Sequence, residues 1–99
     1  MPKAYWIACY RSVANPAAVE EYGKLARPAI EAAGGRVLAR GLPKKTFESG
    51  SYERTVIIEF ESVEQAIAAY QSDAYKAALH AIQGAAQRDI RIVEGVSYS

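Results

Sequence analysis

Residues 53–60 read Glu-Arg-Thr-Val-Ile-Ile-Glu-Phe, and this stretch decides the fold that the sequence predicts. Side chains along a β-strand alternate between two faces, and one face of this stretch is wholly apolar: Val56, Ile58 and Phe60. An apolar face of this kind must pack against a core. The other face carries the carboxylate of Glu59 beside Ile57, so it is neither purely polar nor purely apolar. We interpret residues 53–60 as a central strand with helices on one side and a mixed surface that faces a ligand on the other.

The composition limits the class of protein. The chain has 99 residues, of which 51% are hydrophobic and 23% are charged, as expected of one globular domain spanning residues 1–99. Its net charge of +1 argues against nucleic acid as the main partner, because neutralising phosphates requires a basic surface. No apolar run approaches the roughly 18 residues of a membrane span. The sequence also lacks a signal peptide, so we expect a cytoplasmic protein without membrane contact.

Three further strands and two helical layers are predicted around the central strand. The strands are residues 5–11, 36–41 and 89–96. A helix from Pro16 to about Ala33 begins at the cap residue Asn15, because Asn followed by Pro is typical of a helix start. Ser62 and Ser72 are the caps of a second helical segment that is broken in two, and its core stripe extends to Ala86.

The element order is therefore β-α-β-β-α-β, the ferredoxin-like α+β arrangement. It predicts a four-stranded antiparallel sheet in the order 4-1-3-2, with the helices on one face because crossover connections are right-handed. The alternation argument places five apolar residues on the uncovered face: Trp6, Tyr10, Leu38, Ile57 and Val93. A monomer rarely exposes so much contiguous apolar area, which predicts a homodimer that packs sheet against sheet around a two-fold axis.

Short motifs spread over nearly the whole chain resemble the domain-of-unknown-function 1330 family. They are Tyr5-Trp6-Ile7, Asn15-Pro16, Pro28-Ala29-Ile30, Gly34-Gly35-Arg36, Leu38-Ala39-Arg40-Gly41, Arg54, Glu59-Phe60, Ser62, Ala66, Tyr70, Ser72, Tyr75 and Ile92-Val93-Glu94-Gly95. The resemblance implies a dimeric α/β barrel, in which two ferredoxin-like sheets close around a shared interior, but it implies no established activity. The wider superfamily includes cofactorless quinone-forming monooxygenases, lactone isomerases, haem-degrading enzymes and stress-response proteins.

Three charged residues on three strands are the candidate site residues. Alternation places Arg40, Glu59 and Arg91 on the uncovered face together with Trp6 and Tyr10. Arg40 could pair with the carboxylate or enolate of a substrate, and Glu59 could act as a general base, so these two are the catalytic candidates. The ligand-binding candidates are Trp6, Tyr10, Arg91 and Tyr70. In the alternative interpretation, the arginines and Glu59 form ion pairs that hold the dimer, and Tyr70 packs in the core.

Two other reactive side chains, those of His80 and Cys9, have simpler structural interpretations. His80 is the only imidazole, and helical spacing places it away from the apolar stripe, which favours a solvated residue over a haem ligand or a base. Cys9 alternates with Ile7 on the predicted helix-facing side, which favours a buried, inert thiol. No other His or Cys residue completes a transition-metal site, so no cofactor or metal is expected.

Two functions remain open from the sequence. In the first, the protein binds a small aromatic or acidic organic molecule in a pocket on the uncovered face, as a cofactorless oxygenase or isomerase or as a binding protein. In the second, it is a non-catalytic stress-response or structural dimer whose charged sheet residues only hold the interface. The sequence does not decide whether the protein is an enzyme.

Overall fold

The computed structural model describes residues 2–97, which form four strands and three helices. In chain order the elements are β1 (Ala4–Val13), α1 (Pro16–Ala32), β2 (Arg36–Gly41), β3 (Thr55–Phe60), α2 (Val63–Tyr70), α3 (Asp73–Ile82) and β4 (Ala86–Glu94). No helix among these residues has the length and apolar character that a membrane crossing requires.

The helix starts lie where their capping residues predict them. The side chain of Asn15 accepts the backbone N–H of Ala18 at 3.2 Å at the start of α1. Ser62 accepts the N–H of Gln65 at 3.1 Å, and Ser72 accepts the N–H of Tyr75 at 3.2 Å. Each bond satisfies one of the backbone donors that a helix leaves free in its first turn, which is why these three residues fix where the helices begin.

The four strands form one antiparallel sheet in the order β2-β3-β1-β4, which confirms the predicted ferredoxin-like topology. All three helices pack on one face, where their buried residues form a single core cluster with Ile58 and Phe60. The apolar face of the central strand is therefore the core face, as the sequence predicts. Glu59 and Ile57 lie on the opposite face, which we call the open face.

The prediction for the two faces of β1 is wrong. Trp6 and Tyr10 lie on the helix-facing side, where they are 1% and 4% exposed, whereas Cys9 is exposed on the open face. Pairing of Trp6 with Ile58, and of Ile7 with Ile57, fixes this orientation. Because residues 5–10 are almost continuously apolar, their sequence contains no polar alternation that identifies the core face. The structure buries the largest side chain, Trp6, among aromatic neighbours instead of leaving it uncovered.

The prediction for Arg40 is wrong for a different reason. The register between β2 and β3 shifts between Val37 and Ala39, so one extra residue is inserted in β2. A bulge of this kind reverses the alternation beyond it. Arg40 consequently lies opposite Val56, on the helix-facing side, instead of on the open face.

The end of the second helical segment also differs from the prediction. Helix α3 ends at Ile82, and Gly84 has a φ of 74°, a left-handed conformation that favours glycine. Strand β4 then begins at Ala86, three residues before the predicted start at residue 89. Arg88 is therefore part of the strand, and it lies opposite Tyr10 of β1.

Two glycines should respond to alanine in opposite directions. Gly23 lies inside α1 with no atom within 4 Å of an added Cβ, so Gly23→Ala should raise the free energy of unfolding by about 0.5–1 kcal/mol through helix propensity. An added Cβ on Gly35 would lie 2.6 Å from Ile30 and 2.7 Å from Phe60. Gly35→Ala should therefore lower the free energy of unfolding by roughly 1–3 kcal/mol. Urea unfolding of both variants measures the two effects, and a stable Gly35→Ala protein would contradict the packing described between α1 and β3.

Candidate functional site

A guanidinium held by two phenols lies on the helix-facing side of the sheet. Arg88 of β4 donates to the hydroxyl of Tyr22 at 2.9 Å and to that of Tyr75 at 3.0 Å. The two hydroxyls are 2.6 Å apart and share a hydrogen bond. The guanidinium also lies over the ring of Tyr22, with 4.5 Å between its carbon and the ring centroid, and 5.6 Å from the centroid of Tyr10. These contacts join β1, α1, α3 and β4 at one point.

The charge states at this point follow from burial and contact. Burial lowers the pKa of Arg88, but its interactions with Tyr22 and Tyr75 outweigh burial and raise that pKa, so the guanidinium stays charged. Burial is also the main reason that the pKa of Tyr75 lies well above its usual range, and it raises the pKa of Tyr10. At neutral pH the cluster therefore contains one cation, and Tyr10 and Tyr75 keep their protons.

A cavity of about 60 Å³, which we call the inner cavity, lies between α1 and the sheet beside this cluster. Its aromatic lining is Trp6, Tyr10 and Tyr22, and three arginines line it from the sheet side: Arg40, Arg54 and Arg88. None of these arginines is in the ion pairs found among residues 2–97. Arg88 is half-buried, and a cation that is partly removed from water normally has an anionic partner that offsets the lost hydration. The inner cavity thus combines positive charge with aromatic walls and holds no carboxylate that neutralises it.

Comparison with known proteins identifies the family. Residues 3–96 match the sequence profile of DUF1330, a domain of unknown function. The chain belongs to the DUF1330 family. No curated protein matches it in a sequence comparison.

Solved structures similar to this DUF1330 protein share its fold. A protein of unknown function from Rhodopseudomonas palustris has a TM-score of 0.72 and 20% identity, over 98% of this chain and 85% of its own. SnoaB, a cofactor-independent oxygenase from Streptomyces nogalater, has a TM-score of 0.68 and 10% identity, over 99% of this chain and 97% of its own. A dimeric ferredoxin-like protein of unknown function from Thermobifida fusca has a TM-score of 0.58 and 17% identity, over 94% of this chain and 91% of its own.

A second, larger concavity of about 1020 Å³, the outer groove, lies between the helices α2 and α3 and the strand β4. Tyr70 lines it, and so does His80, which is exposed as the sequence predicts. The ring of Tyr70 packs 5.5 Å from that of Trp6 and 5.1 Å from that of Tyr75, measured between centroids. Arg88 lines both the outer groove and the inner cavity. Among residues 2–97 no three His, Cys, Asp or Glu side chains group as a metal site requires.

Glu59 lies on the open face, away from both concavities. One of its carboxylate oxygens accepts from Arg36 at 2.8 Å and the other accepts from the Tyr5 hydroxyl at 3.1 Å. This hydrogen bond to Glu59 is the main reason that the pKa of Tyr5 is raised. The Glu59 side chain is only 13% exposed, so both of its oxygens are used in a partly covered setting. Glu59 is therefore ion-paired, as the alternative interpretation expects, but its partner is Arg36 and not Arg40 or Arg91.

The structure thus divides the predicted site residues into two groups. Trp6, Tyr10 and Arg40 meet around the inner cavity, and Tyr70 lies close to them in the outer groove. Glu59 and Arg91 remain on the open face, where Arg91 is exposed opposite Ile7. The expectation that the five predicted sheet residues share the open face is wrong, because the orientation of β1 and the bulge in β2 place Trp6, Tyr10 and Arg40 on the other side. Their roles in binding or catalysis stay predictions.

Sequence reasoning missed Arg88, Tyr22 and Tyr75 as a group. Arg88 lay outside the predicted strand, so its side chain was assigned to no face. A signal was present: residues 88, 90 and 92 alternate, and Ile90 and Ile92 mark their shared face as apolar. Placing a charged residue on an apolar strand face costs free energy unless the charge has a partner. This pattern alone makes Arg88 a candidate site residue.

The substitution Glu59→Gln tests the role of the open-face carboxylate. Because Glu59 pairs with Arg36 and lies opposite the inner cavity, we expect a loss of about 1 kcal/mol in the free energy of unfolding and an unchanged affinity for any ligand. Arg36→Gln should cause a similar loss, and the double variant should lose less than the sum, as urea unfolding can measure. A tenfold loss of ligand affinity in Glu59→Gln would instead place the site on the open face.

Proposed function

We propose that this DUF1330 protein binds a small organic molecule that carries an anionic oxygen, an aromatic acid or a phenol, at the inner cavity of each subunit. The observation that carries the proposal is Arg88, a half-buried guanidinium whose described partners are two phenols and no carboxylate. An anionic ligand would supply the missing charge. Arginine suits this role because its planar guanidinium matches a carboxylate in bidentate geometry.

The lining of the inner cavity supports an aromatic ligand. Trp6, Tyr10 and Tyr22 provide ring faces and edges, and Arg40 and Arg54 provide further positive charge. A volume of about 60 Å³ suits a carboxylate or the oxygen-bearing end of a phenol, not a whole drug-sized molecule. The rest of the ligand would therefore extend towards the rim, where Arg27 and Arg40 are exposed.

Cofactor-independent oxygenation is the enzymatic form of this proposal. SnoaB, which shares the fold, is a cofactor-independent oxygenase. Chemistry of that type needs a substrate that is electron-rich enough to react without a cofactor, and a cationic site favours the deprotonated form of a phenol or enol. Arg88 and the neighbouring phenols would stabilise such an anion. A binding protein without catalysis would use the same contacts.

We also propose that the protein forms a homodimer through the open face. Ile57 and Val93 lie on this face, and Val93 is 50% exposed. A protein with the same type of fold from Thermobifida fusca is described as dimeric. The paired Glu59 and Arg36 on the same face favour the second candidate function, a structural or stress-response dimer whose charged residues hold the interface.

The ligand proposal is tested with a panel of aryl carboxylates, phenols, quinones and lactones, with haem included, in a thermal-shift screen followed by calorimetric titration. For any anionic ligand found, Arg88→Met should weaken binding at least tenfold, about 1.4 kcal/mol, whereas Arg88→Lys should retain part of the affinity. The free energy of unfolding of Arg88→Met should fall by about 1–3 kcal/mol, because the hydrogen bonds from Arg88 to Tyr22 and Tyr75 are lost.

Two further variants locate the ligand. Gly23 lines the inner cavity and has open space around it, so Gly23→Leu should abolish binding without loss of stability. Arg91→Met makes the same chemical change on the open face. Loss of binding in Arg91→Met with normal binding in Arg88→Met would overturn the inner-cavity assignment, and the absence of any ligand at millimolar concentrations would count against the proposed function.

The dimer is tested by light scattering at micromolar concentration, where the wild-type protein should have twice the monomer mass. Val93→Asp places a charge on the open face and should shift the protein towards monomer, with at least a tenfold weaker dimer. Leu25→Asp is the matched control, because Leu25 is 47% exposed on α1 and Val93 is 50% exposed on β4. A monomeric wild-type protein, or a monomer produced only by Leu25→Asp, would contradict the open-face dimer.

A further inference from the structure

The hydrogen atoms of the Tyr22–Tyr75–Arg88 cluster do not all have acceptors. Each of the two hydroxyl oxygens accepts an N–H from Arg88, and the oxygens are 2.6 Å apart. Two hydroxyls have two hydrogens, and only one of them can lie between the oxygens. The other hydrogen has no acceptor in the hydrogen bonds found among residues 2–97, so one phenol of the pair has a donor to offer.

The difference in burial between Tyr22 and Tyr75 decides which phenol has the hydroxyl hydrogen without an acceptor. Tyr75 is 0% exposed and lines neither the inner cavity nor the outer groove. Tyr22 is 8% exposed and lines the inner cavity. If Tyr22 donated to Tyr75, the hydrogen left on Tyr75 would be buried without an acceptor, which costs roughly 1–3 kcal/mol. The lower-energy arrangement has Tyr75 donating to Tyr22 and Tyr22 directing its hydrogen into the inner cavity.

We propose that Tyr22 and Arg88 form a two-point site for an anionic oxygen, a carboxylate or phenolate oxygen, and that Tyr75 is a positioning residue that fixes the direction of the Tyr22 hydroxyl. This proposal rests on the proposed function and specifies how the ligand is recognised. A hydroxyl that already accepts from both Arg88 and Tyr75 is polarised, which strengthens the bond it donates. The buried Tyr75 keeps its proton, because burial holds its pKa well above the usual range.

The charged and titratable groups around this site come from every element that packs against it. They are Tyr22 and Arg27 of α1, Tyr10 of β1, Arg40 of β2, Arg54 before β3, Tyr75 of α3 and Arg88 of β4. The lining of the inner cavity among residues 2–97 includes no carboxylate. Arg27 is already paired with Glu31 at 3.5 Å, so the positive charge that favours a negative oxygen comes from Arg40, Arg54 and Arg88.

The proposal is tested with two probes, 4-nitrophenol and 4-nitrobenzoate, and with 4-nitroanisole as a neutral analogue. The absorbance of 4-nitrophenol reports its ionisation, so a titration gives its apparent pKa when bound. We expect the wild-type protein to lower that pKa and to bind both anions, with 4-nitroanisole much weaker. Tyr22→Phe should weaken binding of the two anions about tenfold and reverse most of the change in the pKa of the bound probe. Tyr75→Phe should weaken binding about two- to threefold.

The matched control is Tyr52→Phe, which makes the same chemical change at a phenol that is 56% exposed and does not line the inner cavity. If no probe binds the wild-type protein, the proposed function fails. If the probes bind in an Arg88-dependent way but Tyr22→Phe behaves like Tyr52→Phe, the Tyr22 proposal fails and the proposed function stands.

A larger effect for Tyr75→Phe than for Tyr22→Phe would reverse the proposed direction of the hydrogen bonds. Should Tyr75→Phe not fold, the comparison of Tyr22→Phe with Tyr52→Phe still decides.

Discussion

Burial of Trp6 on the helix-facing side of the sheet is the constraint on which the rest of the structure depends. Its indole packs with Phe60, Tyr70 and Tyr75 at centroid distances of 6.0, 5.5 and 5.1 Å. Once Trp6 is in the core, alternation sends Tyr10 to the same side and leaves Ile7 and Cys9 on the other. One side chain thus decides both which aromatic groups line the inner cavity and which surface is left open.

The topology was predictable because independent signals agreed on it. Cap residues at Asn15, Ser62 and Ser72 fixed the helix starts, and the apolar face of residues 56–60 fixed the core side of the central strand. These signals are local, since each depends on a hydrogen bond or a periodicity within a few residues. The order of the strands then followed from chain connectivity and from the handedness of crossovers.

The location of the site was less predictable, because it depends on single-residue register. A uniformly apolar β1 gives no sign of which face is inward, and the extra residue in β2 reverses the side on which Arg40 lies. The early start of β4 brings Arg88 beside Tyr10. Each of these shifts involves few residues, but a one-residue change moves a side chain across the sheet. An error of one residue in strand register therefore leaves the predicted fold unchanged but moves a site residue to the other face of the sheet.

Glu59 on the open face and Arg88 on the helix-facing side differ in their pairing, and this contrast separates the roles of the two residues. On the open face, Glu59 has both oxygens occupied by Arg36 and Tyr5, so the charge of this carboxylate is already paired. On the helix-facing side, Arg88 has only phenols. An anion bound beside Arg88 would supply the counter-ion that the described residues do not provide, which agrees with the proposed binding role.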